Sequence, residues 1–278
     1  MKRIAVCFSG HIRQWEHAKE NQKNHWEKCM IHNTHNEEFE IDYFIHTWDK
    51  SEEREYRLSP FERRDVTDTE IQSIVDFYKP KKWVVDKKDA DDFLYTDKWL
   101  AIFYGFNKVI ELKRQYEIEN NFEYDIVIKS RIDLIFEPNK IQKLYLLNKI
   151  PMEIMSTFHG AMFEEFCLTN FNDVLFYSSS PVMDLVSNIY FHRKDAFNKP
   201  NKDENIRVIG PGPGVIMKQF FERFGIQTPL LTIHHSKHGM FTDNVEIIYR
   251  SLHNTIDDIN NPLNWNEAIR IRNQWFNS

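Results

Sequence analysis

The chain opens with a short, unbroken apolar run, Ile4-Ala5-Val6-Cys7-Phe8, that stops at Ser9-Gly10. Continuous apolar character over so few residues fits a strand covered on both faces, as in a parallel sheet. Gly10 permits a sharp turn, and a polar, helix-like stretch runs from about Arg13 to Met30. A second strand, Ile41 to His46, leads straight into Thr47-Trp48-Asp49, and the charge-dense stretch from Lys50 to Arg64 reads as a solvated loop or exposed helix. Thr67 and Glu70 form a capping box, with Val66 and Ile71 as its hydrophobic staple. The helix they open buries Ile71, Ile74, Val75 and Tyr78 and ends at Pro80. Trp83-Val84-Val85 makes a third strand. A long helix over Lys98 to Asn120 carries Trp99, Ile102, Phe103, Phe106, Val109, Ile110 and Tyr116 on one stripe. The strand Tyr124 to Lys129 then runs into Ser130-Arg131-Ile132-Asp133.

Strand and helix therefore alternate, which predicts an α/β fold with a doubly wound, mostly parallel sheet. Ligands of such sheets bind beyond the carboxyl ends of the strands. Three polar clusters sit at those ends: Ser9/Gly10/Arg13, His46/Thr47/Asp49 and Arg131/Asp133. Further on, Phe171 to Tyr177 reads as a strand, and Ser180 as the N-cap of a helix with Pro181 first and Met183, Val186, Ile189 and Tyr190 on its apolar face. Gly210-Pro211-Gly212-Pro213-Gly214 opens a helix from Val215 to Phe224, with Gly225 suited to its C-terminal cap. No repeat, low-complexity linker or heptad run interrupts the chain. It reads as one unit, with residues after about 151 forming an appended half.

Composition narrows the function classes. Among 278 residues, 22 Phe, 11 Tyr and 7 Trp are too much apolar surface for a disordered chain. A net charge of −6 argues against nucleic acid as the main partner, because phosphate neutralisation needs a basic footprint. No apolar run reaches the roughly 18 residues of a membrane span, and the opening run is too short for a secretion signal. Cys7, Cys29 and Cys167 are an odd set without CxxC spacing, read as free thiols in a reducing compartment. A cytoplasmic location is the expectation.

Each chemical motif has two descriptions. Alternation puts Arg131 and Asp133 on one face. Asp133 can hold a divalent cation that bridges a diphosphate, with Arg131 holding a phosphate or steering the Asp, or the two can form an ion pair closing the strand end. Ser9-Gly10-His11-Ile12-Arg13 can bring backbone N–H groups and Arg13 to a nucleotide, or be a plain βα turn. No GxxxxGK[ST] occurs, which removes a P-loop kinase. His234-His235-Ser236-Lys237-His238 can supply metal ligands or be a polar loop, and it lacks the Glu of HExxH. Asp173, after Asn172, can be a general base at an acceptor or turn chemistry. Trp48 stands apart from the core aromatics because it sits at a strand end between Thr47 and Asp49.

Together these segments resemble a known group. Arg3 to Arg13, Asp42 to Trp48, Tyr124 to Leu134 and Asn172 to Ser180 with Met183 are similar, in order, to segments of bacterial and viral glycan-assembly glycosyltransferases of GT-A type. The resemblance implies a single GT-A-like α/β/α sandwich with a mostly parallel central sheet. About 1–150 would form the nucleotide-sugar half and about 151–278 the acceptor side. It implies a UDP-, GDP- or dTDP-linked sugar donor, a glycan or glycoconjugate acceptor, and Mn²⁺ or Mg²⁺. Donor contacts would fall on Ser9, Gly10 and Arg13, with His46, Thr47 and Trp48 at the neighbouring strand end. The metal would sit on Asp133 and a late histidine, His238 or else His234 or His235. The cation at Asp133, with Arg13 or Arg131, would stabilise the leaving group, and Asp173 would take the acceptor proton. Two departures stand out: Arg-x-Asp replaces Asp-x-Asp, and Pro213-Gly214 stands where relatives tend to carry Pro-Glu. Two other functions share these features, a non-catalytic nucleotide- or glycan-binding protein on the same scaffold and a metal-dependent sugar-phosphate hydrolase built on the histidines.

Overall fold

A computed structural model of the chain describes residues 2–13, 15–29, 39–53, 62–88, 98–134, 154–156, 175–192, 213–224, 233–236 and 239–242. Its centre is a six-stranded sheet. In chain order the main strands are β1 (Lys2–Ser9), β2 (Phe39–Trp48), β5 (Lys82–Asp86), β6 (Ile126–Ser130), β7 (Ile154–Ser156) and β8 (Phe176–Ser178). They lie side by side as β5-β2-β1-β6-β8-β7. β5, β2, β1 and β6 are parallel, β8 runs antiparallel to β6, and β7 antiparallel to β8. The expected mostly parallel α/β sheet is thus present. From β1 the chain first builds outward through β2 and β5, then crosses to β6 on the other side. The order reverses between β1 and β6, which makes that gap a topological switch point.

Both faces of β1 are covered, which explains its unbroken apolar run. Ile4, Val6 and Phe8 pack with Trp15 and Trp26 and with Ile74 and Tyr78. Those partners come from α1 (Trp15–Asn24), its continuation over His25–Cys29 in a wider π-type turn, and α2 (Asp68–Tyr78). Ala5 and Cys7 face the opposite core, with Phe103, Phe106, Val109 and Ile110 of α3 (Lys98–Asn120), Val182, Met183 and Val186 of α4 (Ser180–Ser187), and Met217 and Phe221 of α5 (Pro213–Phe224). Helices therefore layer both sides of the sheet, and Cys7 is a buried free thiol. No helix among the described residues is long and apolar enough to cross a membrane.

Local signals account for the element ends. The capping box of α2 is formed: Glu70 N–H donates to Thr67 Oγ1 at 3.2 Å, and Thr67 N–H donates to Glu70 Oε2 at 2.9 Å. The helix stops at Lys79, which takes a left-handed conformation (φ 48°) just before Pro80. Two expectations need correction. The charged stretch after Asp49 is an antiparallel pair, β3 (Lys50–Glu53) and β4 (Glu62–Asp65), tied across by Lys50–Asp65 and Arg63–Glu52 ion pairs. The N-cap of α4 is Ser179, one residue earlier than expected. Ser180 has its hydroxyl engaged elsewhere: it donates to Glu117 Oε1 at 2.7 Å and accepts from Lys113 Nζ.

Candidate functional site

The carboxyl ends of β1, β2, β5 and β6 form one row. Ser9 pairs with His46, Phe8 with Ser130, His46 with Val84 and Trp48 with Asp86. This register sets the turn after β1 between Arg131 on one side and Thr47 on the other. Gly10 has φ +122°, a conformation open to glycine, so the turn after Ser9 depends on that residue. Thr47 Oγ1 donates to the Gly10 carbonyl at 2.9 Å and fixes the turn's height. Arg13 follows at φ 35°, and its side chain reaches Asp133 beyond β6.

At the switch point the side chains meet. Arg131 grips Asp133 with two prongs: Nε donates to Oδ1 at 2.8 Å and Nη2 to Oδ2. Arg13 Nη1 reaches the same Oδ2 at 3.3 Å, and its Nε donates to the Glu52 carbonyl at 2.7 Å. The Asp133 side chain is 1% exposed and that of Arg131 22%. The turn that carries them is held from below by Gln22 of α1, whose Nε2 donates to the carbonyls of Arg131 and Leu134 at 2.9 and 2.8 Å. Because β6 ends at Ser130, it is this turn, not strand alternation, that brings Arg131 and Asp133 together.

Around Arg13 lies a second charged group. Lys88 Nζ is 3.2 Å from Glu52 Oε1 and donates to His11 Nε2 at 3.2 Å. His11 in turn donates its Nδ1–H to the Lys50 carbonyl at 2.8 Å, which leaves Nε2 to accept from Lys88. Burial pulls the Lys88 ammonium below the usual lysine range, with Glu52 pulling the other way. The Lys88 backbone N–H is held by Asp49 Oδ1 at 2.8 Å, and its ammonium lies 5.6 Å from the Trp48 ring centre.

The third group sits at the ends of β2 and β5. His46 is fully buried and its Nε2 donates to Asp86 Oδ2 at 3.3 Å. Tyr104 of α3 donates its hydroxyl to the same oxygen at 2.8 Å, and its ring stacks on Trp48 at 5.5 Å. These bonds, the one from His46 first, hold the Asp86 carboxyl below the usual range. Burial holds the His46 imidazole below the usual histidine range, against the opposing hydrogen bond to Asp86. With Nε2 donating, Nδ1 carries only a lone pair. It makes no hydrogen bond among the described residues and lies against Gly105 of α3.

The residues singled out in the sequence thus fall into distinct positions. Ser9, Gly10, Arg13, Arg131 and Asp133 come together at the switch point. His46, Thr47 and Trp48 are buried at its flank and act through Asp86, the Gly10 carbonyl and Tyr104. Asp173 and His238 lie outside the described residues; His234 and His235 lie on β9 (Ile233–Ser236), paired antiparallel with β10 (Gly239–Thr242). Asp86, Lys88, Glu52, Tyr104 and Gln22 escaped the reading of the sequence. Asp86 alone had a local signal, as a carboxylate directly after a predicted strand.

As arranged, the described donors at Asp133 do not fit a divalent cation. Both carboxylate oxygens are taken by guanidinium hydrogens, and a hard cation needs about six oxygen ligands. It would also face two neighbouring positive charges. What the arrangement can do is present guanidinium to an anion, since half-buried Arg131 is the least buried member of the cluster. No family model matches the chain, and no curated protein matches it either.

Proposed function

We propose that the chain is a glycosyltransferase of GT-A-like architecture, moving a sugar from a nucleoside-diphosphate donor to a glycan or glycoconjugate acceptor. One observation carries the reading: two guanidinium groups and a glycine turn meet at the carboxyl ends of parallel strands, at the switch point between β1 and β6. In the reaction, a bond forms between the acceptor oxygen and the anomeric carbon. The bond from that carbon to the diphosphate oxygen breaks, and its electron pair stays on the departing diphosphate. The acceptor proton leaves to a base, a role proposed for Asp173. The sugar is oxocarbenium-like at the barrier, so charge on the leaving oxygens is what the site must stabilise. Arg131 and Arg13 supply that charge from fixed positions, and loss of one such interaction costs about 10²–10³ in rate.

The test is incubation with UDP-, GDP- and dTDP-linked sugars and a panel of oligosaccharide acceptors, with nucleotide and glycan products separated chromatographically. The expected result is nucleoside diphosphate released in step with extended glycan, from one nucleotide class. Nucleotide binding without turnover of any sugar would make the protein a binding module instead. Phosphate release with no acceptor present would make it a hydrolase.

A further inference from the structure

We infer that the leaving diphosphate is held at the switch point by the guanidinium groups of Arg131 and Arg13 directly, without a divalent cation. The inference rests on the transferase reading above and specifies its anion site. Asp133 is the expected place for a cation, yet its carboxylate is covered by the cluster it belongs to. Arg131 Nε and Nη2 take both of its oxygens, Arg13 Nη1 shares Oδ2, and the side chain is 1% exposed. A cation could reach that carboxylate only by displacing at least one guanidinium. An anion meets no such obstacle. The Arg131 side chain is 22% exposed, and its Nη1 has no partner among the described residues.

Charge favours the same outcome. Two guanidiniums sharing one carboxylate leave one positive charge that this carboxylate does not cancel. The groups are also pre-positioned. Arg13 is anchored through Nε to the Glu52 carbonyl, and the Arg131 turn is anchored through its own carbonyl to Gln22. Asp133 therefore acts as a positioning residue: it splays and orients the two arginines, and they meet phosphate oxygens in a fixed geometry. Planar guanidinium suits this task better than ammonium, because its paired N–H donors match two phosphate oxygens at once.

The test is calorimetric titration of UDP, GDP and dTDP into the full chain, in EDTA and again in Mn²⁺. One of these nucleotides binds in EDTA, and Mn²⁺ changes its affinity less than about threefold. Arg131→Met weakens binding in EDTA about 10- to 100-fold, the scale of one charge-assisted bidentate contact, and Arg131→Lys recovers only part of it. Asp133→Asn, which keeps one acceptor oxygen but loses the charge that orients the two arginines, weakens binding in EDTA, though less than Arg131→Met does. Should any of the three variants fail to fold, the wild-type comparison decides alone. A nucleotide that binds only with Mn²⁺ overturns this inference and leaves the transferase reading standing. If none of the nucleotides binds in either buffer, the transferase reading falls, and this inference with it.

Discussion

Gly105 offers a sharp check on the packing of His46 against α3. It lies inside α3, where alanine is favoured over glycine by about 1 kcal/mol. On that ground alone Gly105→Ala stabilises the protein. The added methyl would, however, stand 2.9 Å from His46 Nδ1 and 3.0 Å from its Cε1, well inside ordinary contact. The imidazole has little room to yield. It is bonded to Asp86 and meets the rings of Trp48 and Tyr104 edge-on at 4.9 and 5.8 Å. Overpacking of this kind costs about 1–3 kcal/mol, so the net effect is a loss of roughly 0–2 kcal/mol. The partner experiment removes the obstacle. In a His46→Ala background the methyl has space, the helical preference returns, and Gly105→Ala stabilises by about 1 kcal/mol. Urea unfolding of the four proteins gives a coupling of about 1–3 kcal/mol between the two positions. If Gly105→Ala stabilises both backgrounds equally, the imidazole does not sit against this glycine, and the His46–Asp86 arrangement is wrong.

Other consequences follow from the same buried groups. The His46 imidazole is held neutral by burial, so its folded pKa lies below its unfolded one. Below about pH 6.5 the unfolded chain takes up a proton that the folded one refuses. Stability contributed by this group is therefore complete near neutrality and declines as pH falls, by at most about 1.4 kcal/mol per pH unit. Urea unfolding at several pH values shows this slope, and it is smaller in His46→Gln; an unchanged slope contradicts the assignment. Lys113 of α3 is fully buried, with Nζ 2.9 Å from Glu117 and 2.7 Å from Asp184. Lys113→Met strands these carboxylates and costs about 3–5 kcal/mol by urea unfolding, whereas a loss below about 1 kcal/mol would mean the pair is wetter than drawn.

Much of the architecture is legible in the chain because the sheet's centre is buried on both faces. The runs Ile4–Phe8 and Ile126–Ile128 carry no polar alternation, since Ile4, Val6 and Phe8 serve one core and Ala5 and Cys7 the other. Thr67 and Glu70 announce α2 because their contacts are local. The β3–β4 pair is not legible, because its residues are charged on both faces and its stability lies in the backbone ladder and cross-strand ion pairs. Lys113 and Glu117 look like a solvated i,i+4 pair; only the docking of α4, with Ser180 and Asp184, buries them. The same tertiary demand moved the cap of α4 back to Ser179.

At the site, the row of strand ends was readable from the alternation of strand and helix, and an Arg131–Asp133 ion pair was among the readings, but a turn after Ser130 rather than strand alternation makes it. The arrival of Arg13 from the far side of the switch point was not readable, because 120 residues separate it from Asp133. That contact turns a candidate cation ligand into the anchor of a cationic pair. Asp86 and Lys88 were hidden for a related reason. Their partners His46, Tyr104, His11 and Glu52 come from other elements, and no local motif records the meeting.

On the proposed function, the switch point between β1 and β6 receives a nucleoside diphosphate. A thermal unfolding screen of UDP, GDP and dTDP tests it most directly, because a ligand that binds only the folded chain raises the melting temperature by mass action. At about a hundredfold excess over its dissociation constant, one nucleotide adds about 2.7 kcal/mol, or roughly 5 °C for a chain of this size, and the rise shrinks in Arg131→Met. A melting temperature unmoved by all three nucleotides contradicts the claim.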